Sequence, residues 1–179
     1  ALANNSAVYN EKPDIESFLR EWTSLVESKS GERGIFARYA AEAHTANNKR
    51  RETGHEWGTN PCSEIILRSN QFCNLTEAVV RASDTRKTLE EKVRLATILG
   101  TIQATFTKFP YLRRSWTKNT EEERLLGVSL TGIMDNALTS DPSPAFLDHL
   151  RMVAVETNKN WARLLGIPQS AAITCVKPS

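Results

Sequence analysis

The chain has 179 residues, a net charge of +2 and a hydrophobic content of 40%. This length allows one ordinary domain, or a slice of a larger one, with a real apolar core. The small net charge and the interleaving of acidic and basic residues argue against nucleic acid or an anionic membrane as a partner. No apolar run approaches the ~20 residues of a membrane span.

The cysteine content and the amino-terminal residues indicate a reducing compartment. Three widely spaced cysteines exclude a disulfide framework. Residues 1–6 lack the basic segment and apolar core that open a signal peptide. We therefore expect a cytoplasmic protein whose thiols are either buried or reactive.

The first part of the chain predicts helices followed by a polar loop. Apolar residues at helical spacing predict a helix over residues 14–27 with Asp14 as its N-cap, and a weaker pattern predicts another over residues 35–47. Residues 49–60 are polar and broken by glycines, which predicts a loop. Short strands are predicted at residues 64–67 and 78–80.

Capping boxes predict the starts of the next helices. Thr88 with Glu91 forms one box, and Thr120 with Glu123 forms another that leads a helix to about residue 138. The first of these helices carries an apolar stripe of Leu95, Ile98, Leu99 and Ile102.

The last predicted helix has a clear start and a clear end. Ser143 followed by Pro144 opens it, and Gly166 ends it. Residues 171–176 then read as a buried strand. A mostly helical chain with a few apolar strands is typical of part of an α/β barrel.

Residues 60–64 carry functional side chains in alternation. The run is Asn60-Pro61-Cys62-Ser63-Glu64, and Cys73 follows Cys62 at eleven residues. In an extended backbone, which Pro61 favours, Asn60, Cys62 and Glu64 project on one side. That side presents an amide that can orient a hydroxyl, a carboxylate that can take its proton, and a thiol for nucleophilic, metal or radical chemistry.

The residue types and their spacing also allow simpler interpretations of these thiols. A cysteine in a strand is commonly a small buried apolar residue. A zinc site would need short ligand spacing and paired histidines, so we predict no metal. A cysteine hydrolase would need a histidine base, and neither His44, His55 nor His149 occupies a recognisable nucleophile context.

Other conspicuous residues receive structural interpretations. The four tryptophans are expected to anchor the core or an interface, with Trp57 the one closest to the motif. The basic runs at residues 49–51 and 113–114 are expected to be solvated surface.

The run at residues 60–64, followed by Cys73-Asn74-Leu75, resembles the active-site loop of the adenosylcobalamin-dependent (class II) ribonucleotide reductases. Further stretches resemble the same family, in the family's order along the chain: residues 3–6, 28–36, 124–132 and 175–179. The resemblance implies that residues 1–179 are an internal fragment of a helix-rich, ten-stranded α/β barrel, truncated at both ends, with the radical-cysteine loop entering the barrel.

The resemblance also implies a role for each matched residue. Cys62 would become the thiyl radical that removes the 3′-hydrogen of the ribose, and Glu64 would deprotonate the 3′-hydroxyl. Asn60 would hold the ribose hydroxyls by hydrogen bonds. Cys73 would be one half of a redox dithiol, whose partner cysteine lies in the family well before this segment and is absent from this chain.

The final residues resemble the start of the family's phosphate-binding motif. Pro178 and Ser179 would begin that motif, which continues in the family with Gly-Thr and holds the substrate phosphates at a helix start. Cys175 is interpreted as a structural thiol. We therefore expect the isolated 179 residues not to reduce nucleotides.

The implied reaction is the reduction of ribonucleotides to 2′-deoxyribonucleotides for DNA synthesis. Within this resemblance, the sequence of residues 72–77 favours ribonucleoside triphosphates over diphosphates as substrates. Adenosylcobalamin would generate the radical, an external dithiol such as thioredoxin would supply electrons, and the full-length protein would be a monomer or homodimer.

Two alternatives to this function stay open. An oxygen-dependent (class I) reductase large subunit is disfavoured by Pro61 and by the eleven-residue spacing. A non-catalytic helical interaction module with buried thiols is the alternative from another class.

Overall fold

A computed structural model describes residues 6–29, 34–48, 50–60 and 64–174. The chain is mixed α/β. It divides into two compact units, Ala1–Ser69 and Asn70–Ser179. Cys62, Cys175, Pro178 and Ser179 lie outside the described residues, so their assignments stay predictions.

Short strand pairs and helices build the first unit. Its elements are β1 (Ala7–Tyr9), α1 (Ile15–Ser28), β2 (Ile35–Ala37), α2 (Arg38–Asn48), β3 (Trp57–Thr59) and β4 (Ile66–Arg68). Strands β1 and β2 pair in parallel, whereas β3 and β4 form an antiparallel hairpin.

Helix α1 confirms the predicted helix and its cap. Asp14 Oδ1 accepts a hydrogen bond from the Ser17 backbone N–H at 2.8 Å, which satisfies one donor of the first turn. The apolar stripe of α1 is exposed, and Trp22 on it keeps 53% of its accessible surface.

Two strands lie where the sequence predicts helix and loop. Residues 35–37 are not the start of a helix, because they pair with β1. Residues 57–59 are not loop, because they pair with β4, which itself begins at Ile66 rather than at Glu64. Strands of three residues are too short to show a period in the sequence, so their partners decide them.

A parallel sheet with helical crossovers builds the second unit. Its elements are β5 (Asn74–Val79), α3 (Arg86–Gln103), α4 (Arg114–Glu123), β6 (Leu126–Thr131), a 3₁₀ turn (Ile133–Asp135), α5 (Ala137–Ser140), α6 (Pro144–Leu165) and β7 (Ile173–Thr174). The strand order is β5-β6-β7, and both pairings are parallel. Parallel neighbours need long connections, which the helices between them provide.

The core of the second unit lies between this sheet and helices α3 and α6. The buried cluster consists of Ala78, Val80, Leu89, Val93, Ala96, Val128, Leu130, Phe146, Leu150 and Ala154. Burying each large apolar side chain of this kind contributes roughly 1.5–3 kcal/mol to folding.

Helix α3 begins earlier than predicted and buries a different face. Thr85 is its N-cap, and Thr88 completes the capping box from the third helical position. The predicted stripe is wrong, because Leu99 on it is 63% exposed. The buried face includes Thr97 and Thr101, whose hydroxyls donate to backbone carbonyls within the helix at 2.7 Å and so need no water.

The predicted helix over residues 120–138 is also wrong. Thr120 and Glu123 lie at the end of α4, and the following residues form the central strand β6. Strands covered on both faces read as continuous apolar runs without alternation, which explains the error. A Cβ on Gly127 would lie 2.4 Å from the Leu75 side chain, so glycine permits the close approach of β6 to β5.

The structure agrees with the predictions for the last helix and the last strand. Ser143 accepts from the Phe146 backbone N–H at 3.3 Å, and Gly166 ends α6 with a φ of 67°, as predicted. Strand β7 falls within the predicted range. No helix in the described ranges is long and apolar enough to cross a membrane.

Candidate active site

Asn60 and Glu64 lie in the loop that joins β3 to β4. Thr59 pairs with Ile66, so the chain reverses direction between them. Residues 61–63 lie outside the described residues, so the projection of Asn60, Cys62 and Glu64 on one side of an extended backbone stays a prediction; Asn60 follows β3, and Glu64 precedes β4. The reversal nevertheless brings both residues to the same end of the hairpin.

The side chain of Asn60 helps to close this loop. Its Oδ1 accepts a hydrogen bond from the Ile65 backbone N–H at 3.3 Å. A backbone N–H can only donate, so this contact identifies the oxygen of the carboxamide. The amino group then points away from Ile65 and can donate to a ligand hydroxyl.

A cavity of about 310 Å³ adjoins Asn60 within the first unit. Its wall includes Ser6, Phe36, Arg38 and Thr59, which combine hydroxyl and guanidinium donors with an aromatic ring. This volume is at the small end of the range for ligand sites, which begins at about 300 Å³. The cavity therefore suits a small polar molecule, or one part of a larger one.

One oxygen of the Glu64 carboxylate is enclosed by the protein. Its Oε2 is buried and has no hydrogen-bond partner among the described residues. Leaving a buried acceptor unsatisfied costs about 1–3 kcal/mol. A hydroxyl of a bound ligand would satisfy this oxygen and could transfer its proton to it.

Arg38 joins the cavity wall to the strands. Its Nε donates to the Trp57 carbonyl at 2.7 Å, and its Nη1 donates to Asn10 Oδ1 at 2.6 Å. Nη1 also lies 3.5 Å from a carboxylate oxygen of Glu56. Nothing in the local sequence pattern distinguishes Arg38 from the other arginines, so only its contacts in the structure place it at this wall.

Trp57, at the base of the hairpin, is 1% exposed. Its indole N–H donates to Glu42, and the Gly54 backbone N–H donates to the other Glu42 oxygen at 2.7 Å. These hydrogen bonds, with a smaller contribution from the charge of His55, lower the pKa of Glu42 below its ordinary value. The prediction that Trp57 anchors a core is confirmed.

Arg51 is not the solvated surface residue that the sequence predicts. Its guanidinium lies 4.7 Å from the centre of the Trp57 ring, and Nη1 donates to the Ile66 carbonyl at 2.8 Å. His55 meets the same ring edge-on at 5.3 Å. Arg51 and His55 from the loop thus contact the Trp57 ring, and Glu42 from α2 binds its indole N–H.

Cys73 belongs to the second unit and lies one residue before β5, where it is half-buried. The preceding Phe72 packs its ring against Phe109 at 5.1 Å and against Trp116 at 4.5 Å. Gln71 donates through Nε2 to Glu123 Oε2 at 2.6 Å. These contacts hold the backbone on the amino-terminal side of the thiol.

Comparison with known proteins finds distant relatives among ribonucleotide reductases. The chain is 29% identical to adenosylcobalamin-dependent ribonucleoside-triphosphate reductases from two strains of Lactobacillus delbrueckii subsp. bulgaricus and from Lactobacillus leichmannii. The alignment of 150 residues covers 68% of this chain and 20% of each relative. No protein-family model and no solved structure matches the chain. The chain spans about a fifth of the length of the curated relatives it matches, and over that segment it is distantly similar to them.

Proposed function

We propose that this chain acts in the reduction of ribonucleotides to 2′-deoxyribonucleotides, as the part of the complete protein that works on the ribose. The observation that carries the proposal is that Asn60 and Glu64 both lie at one end of a hairpin, with Cys62 between them in the sequence. The amide can donate to a hydroxyl, and the buried carboxylate oxygen can take a proton. The distant similarity to ribonucleoside-triphosphate reductases supports the same reaction.

Each group has a defined part in the proposed reaction. The Cys62 thiyl radical removes the 3′-hydrogen atom of the ribose and returns it at the end. Glu64 accepts the 3′-hydroxyl proton, which helps the 2′-hydroxyl to leave as water. Cys73 and a second cysteine supply two electrons and close to a disulfide, so ribonucleotide and dithiol become deoxyribonucleotide, disulfide and water.

We propose ribonucleoside triphosphates as the substrates, which agrees with the names of the relatives. The cavity beside Asn60 would take the sugar, and Pro178 with Ser179 would begin the phosphate site. A thioredoxin-like dithiol as reductant, a cytoplasmic location, and a monomeric or homodimeric full-length protein complete the proposal.

Adenosylcobalamin is the proposed source of the initiating radical, since the relatives depend on it. The cavities of about 310 and 570 Å³ described in the two units are smaller than a corrinoid with its nucleotide and adenosyl groups. No residue is therefore assigned to hold the cofactor. Among the described residues, no group of three or more His, Cys, Asp and Glu side chains is placed to bind a metal ion.

We also propose that the second unit is part of an α/β barrel wall. The parallel strands β5, β6 and β7 with helical connections support this proposal, because such units repeat around barrels of this class.

The test is a Cys62→Ser substitution in the complete protein. We expect no deoxyribonucleotide from a ribonucleoside triphosphate supplied with adenosylcobalamin and a dithiol, because an alcohol does not replace the thiyl radical. Cys175→Ser is the matched control, and it should keep turnover. Product formation by Cys62→Ser would overturn the proposal.

Two further measurements separate the alternatives. Turnover without adenosylcobalamin but with oxygen and a second subunit would favour the class I reductase. The isolated 179 residues, given cobalamin and dithiol, are expected to form no product, and product there would contradict the proposed need for the rest of the protein.

A further inference from the structure

We propose that Glu42 and Trp57 are positioning residues that set the place of Asn60 and Glu64 by fixing the base of the β3–β4 hairpin on helix α2. The proposal rests on the proposed function and goes beyond it, because neither residue belongs to the motif at residues 60–64.

The Glu42 carboxylate joins three segments of the first unit. Glu42 belongs to α2, Trp57 opens β3, and Gly54 belongs to the preceding loop. One carboxylate oxygen accepts from the Trp57 indole and the other accepts from the Gly54 backbone at 2.7 Å. Hydrogen bonds to an ionised carboxylate are about twice as strong as neutral ones, so this link is stiff.

Trp57 is held at its ring and its backbone as well as at its indole N–H. Arg51 covers the ring at 4.7 Å and also donates to the Ile66 carbonyl on β4. Arg38 donates to the Trp57 carbonyl at 2.7 Å. Arg51 thereby links Trp57 to β4, and Arg38, the first residue of α2, links that helix to β3.

A displacement of Trp57 would also displace the loop between β3 and β4, which carries Asn60. Strand β3 has only three residues, and Thr59 opposite Ile66 is its last pair before Asn60. Only this short strand separates the Trp57 backbone from the hydrogen bond between Asn60 and Ile65. A misplacement of ~1 Å at reacting groups can lower a rate by ~100-fold, so a small shift here would matter.

The test compares variants of the complete protein. Trp57→Phe keeps an aromatic ring but removes the N–H donor, and Glu42→Ala removes both acceptors. Each should lower kcat by about tenfold or more with KM changed by less than about twofold, because alignment rather than affinity is lost. Glu42→Gln keeps one acceptor oxygen and should recover part of kcat.

Matched controls come from helix α1. Trp22→Phe and Glu16→Ala make the same chemical changes at exposed positions of the first unit and should leave kcat unchanged. Amide hydrogen exchange supplies a readout that does not depend on activity. The Ile65 N–H, bonded to Asn60, should exchange faster in Trp57→Phe but not in Trp22→Phe.

The outcomes separate positioning from a merely structural role. A lower melting temperature with unchanged kcat per folded molecule and unchanged Ile65 exchange would overturn the proposal. If Glu42→Ala does not fold, Trp57→Phe and Glu42→Gln decide the question. An unsubstituted protein that forms no deoxyribonucleotide refutes the proposed function, whereas an active parent with fully active variants refutes only the positioning proposal.

Discussion

Asn60 Oδ1 accepts a hydrogen bond from the Ile65 backbone N–H at 3.3 Å, across the loop between β3 and β4. One carboxamide therefore has two separable uses. Its oxygen closes the loop, and its amino group can serve as a donor to a ligand in the adjoining cavity. Because the two uses depend on different atoms, substitutions can remove them one at a time.

The first prediction separates these uses. Asn60→Asp keeps an oxygen for Ile65 but loses the amino donor, so kcat/KM should fall by at least about tenfold while the free energy of unfolding changes by less than about 0.5 kcal/mol. Asn60→Ala loses both and should also cost about 1 kcal/mol. Steady-state kinetics with denaturant unfolding would measure both effects. Equal destabilisation by the two variants would contradict the assignment of the oxygen.

The second prediction concerns the buried oxygen of Glu64. Glu64→Ala removes an acceptor that has no partner among the described residues, so the free energy of unfolding should stay within about 1 kcal/mol of the parent value. Turnover should nevertheless fall by ~100-fold or more, because the proposed base is lost. Urea unfolding and product assays on one preparation test this. A cost above ~2 kcal/mol would mean that the carboxylate stabilises the fold.

The third prediction compares two glycines with left-handed backbones. Gly132 and Gly166 have φ values of 73° and 67°. A Cβ on Gly132 would lie 2.7 Å from the Val80 carbonyl oxygen, whereas a Cβ on Gly166 would have no described atom within 4 Å apart from its chain neighbours and the backbone of its own helix. Gly166→Ala should cost about 1–2 kcal/mol, the usual left-handed penalty.

Gly132→Ala should cost clearly more than Gly166→Ala, because backbone must move to relieve the close contact. Chemical denaturation of the two variants gives the comparison. Similar costs would show that the turn after β6 can relax around the added methyl group.

The fourth prediction concerns acid stability and Asp84. Its carboxylate accepts from Lys92 Nζ at 2.6 Å, from the Arg81 backbone at 2.7 Å and from the Thr88 hydroxyl at 2.9 Å. Chiefly through Lys92, these bonds lower the pKa of Asp84 below its ordinary value of 3.8. The stabilisation is therefore complete above pH 3.8 and is lost as the pH falls through the lower folded-state pKa.

Asp84→Asn should remove this stabilisation. The stability difference between parent and variant should be constant near neutral pH and should shrink in strong acid, as measured by denaturant midpoints over a pH series. Asp148→Asn, on the surface of α6, is a control that should show a smaller difference. A parent–variant difference that grows in acid would have the wrong sign.

The fifth prediction concerns a buried amide in the second unit. Asn158, 1% exposed, donates to the Thr101 hydroxyl at 3.0 Å and accepts from the Ser170 backbone at 3.0 Å. Asn158→Ala should cost about 2–3 kcal/mol, because both partners lose a bond inside the core. The exposed Asn160 on the same helix is the control, and Asn160→Ala should stay within about 0.5 kcal/mol. Thermal unfolding would rank them.

Features that depend on neighbouring residues could be predicted from the amino-acid sequence. The cap at Asp14, the start of α6 at Ser143 and its end at Gly166 follow from hydrogen bonds and backbone angles within a single turn. The hypothesis for residues 60–64 is local in the same way, since it rests on an amide, a thiol and a carboxylate within five positions, and it stays a prediction.

Features whose partners lie far along the chain could not be predicted in this way and are visible only in the folded structure. The strand state of β6 depends on pairing with β5, which lies about fifty residues earlier, and the buried face of α3 is the face that the sheet and α6 cover. The link from Glu42 to Trp57 spans fifteen residues and has no local signature. Contacts of this range are selected by packing in three dimensions, because the free energy of burial depends on which surfaces meet and not on their order in the chain.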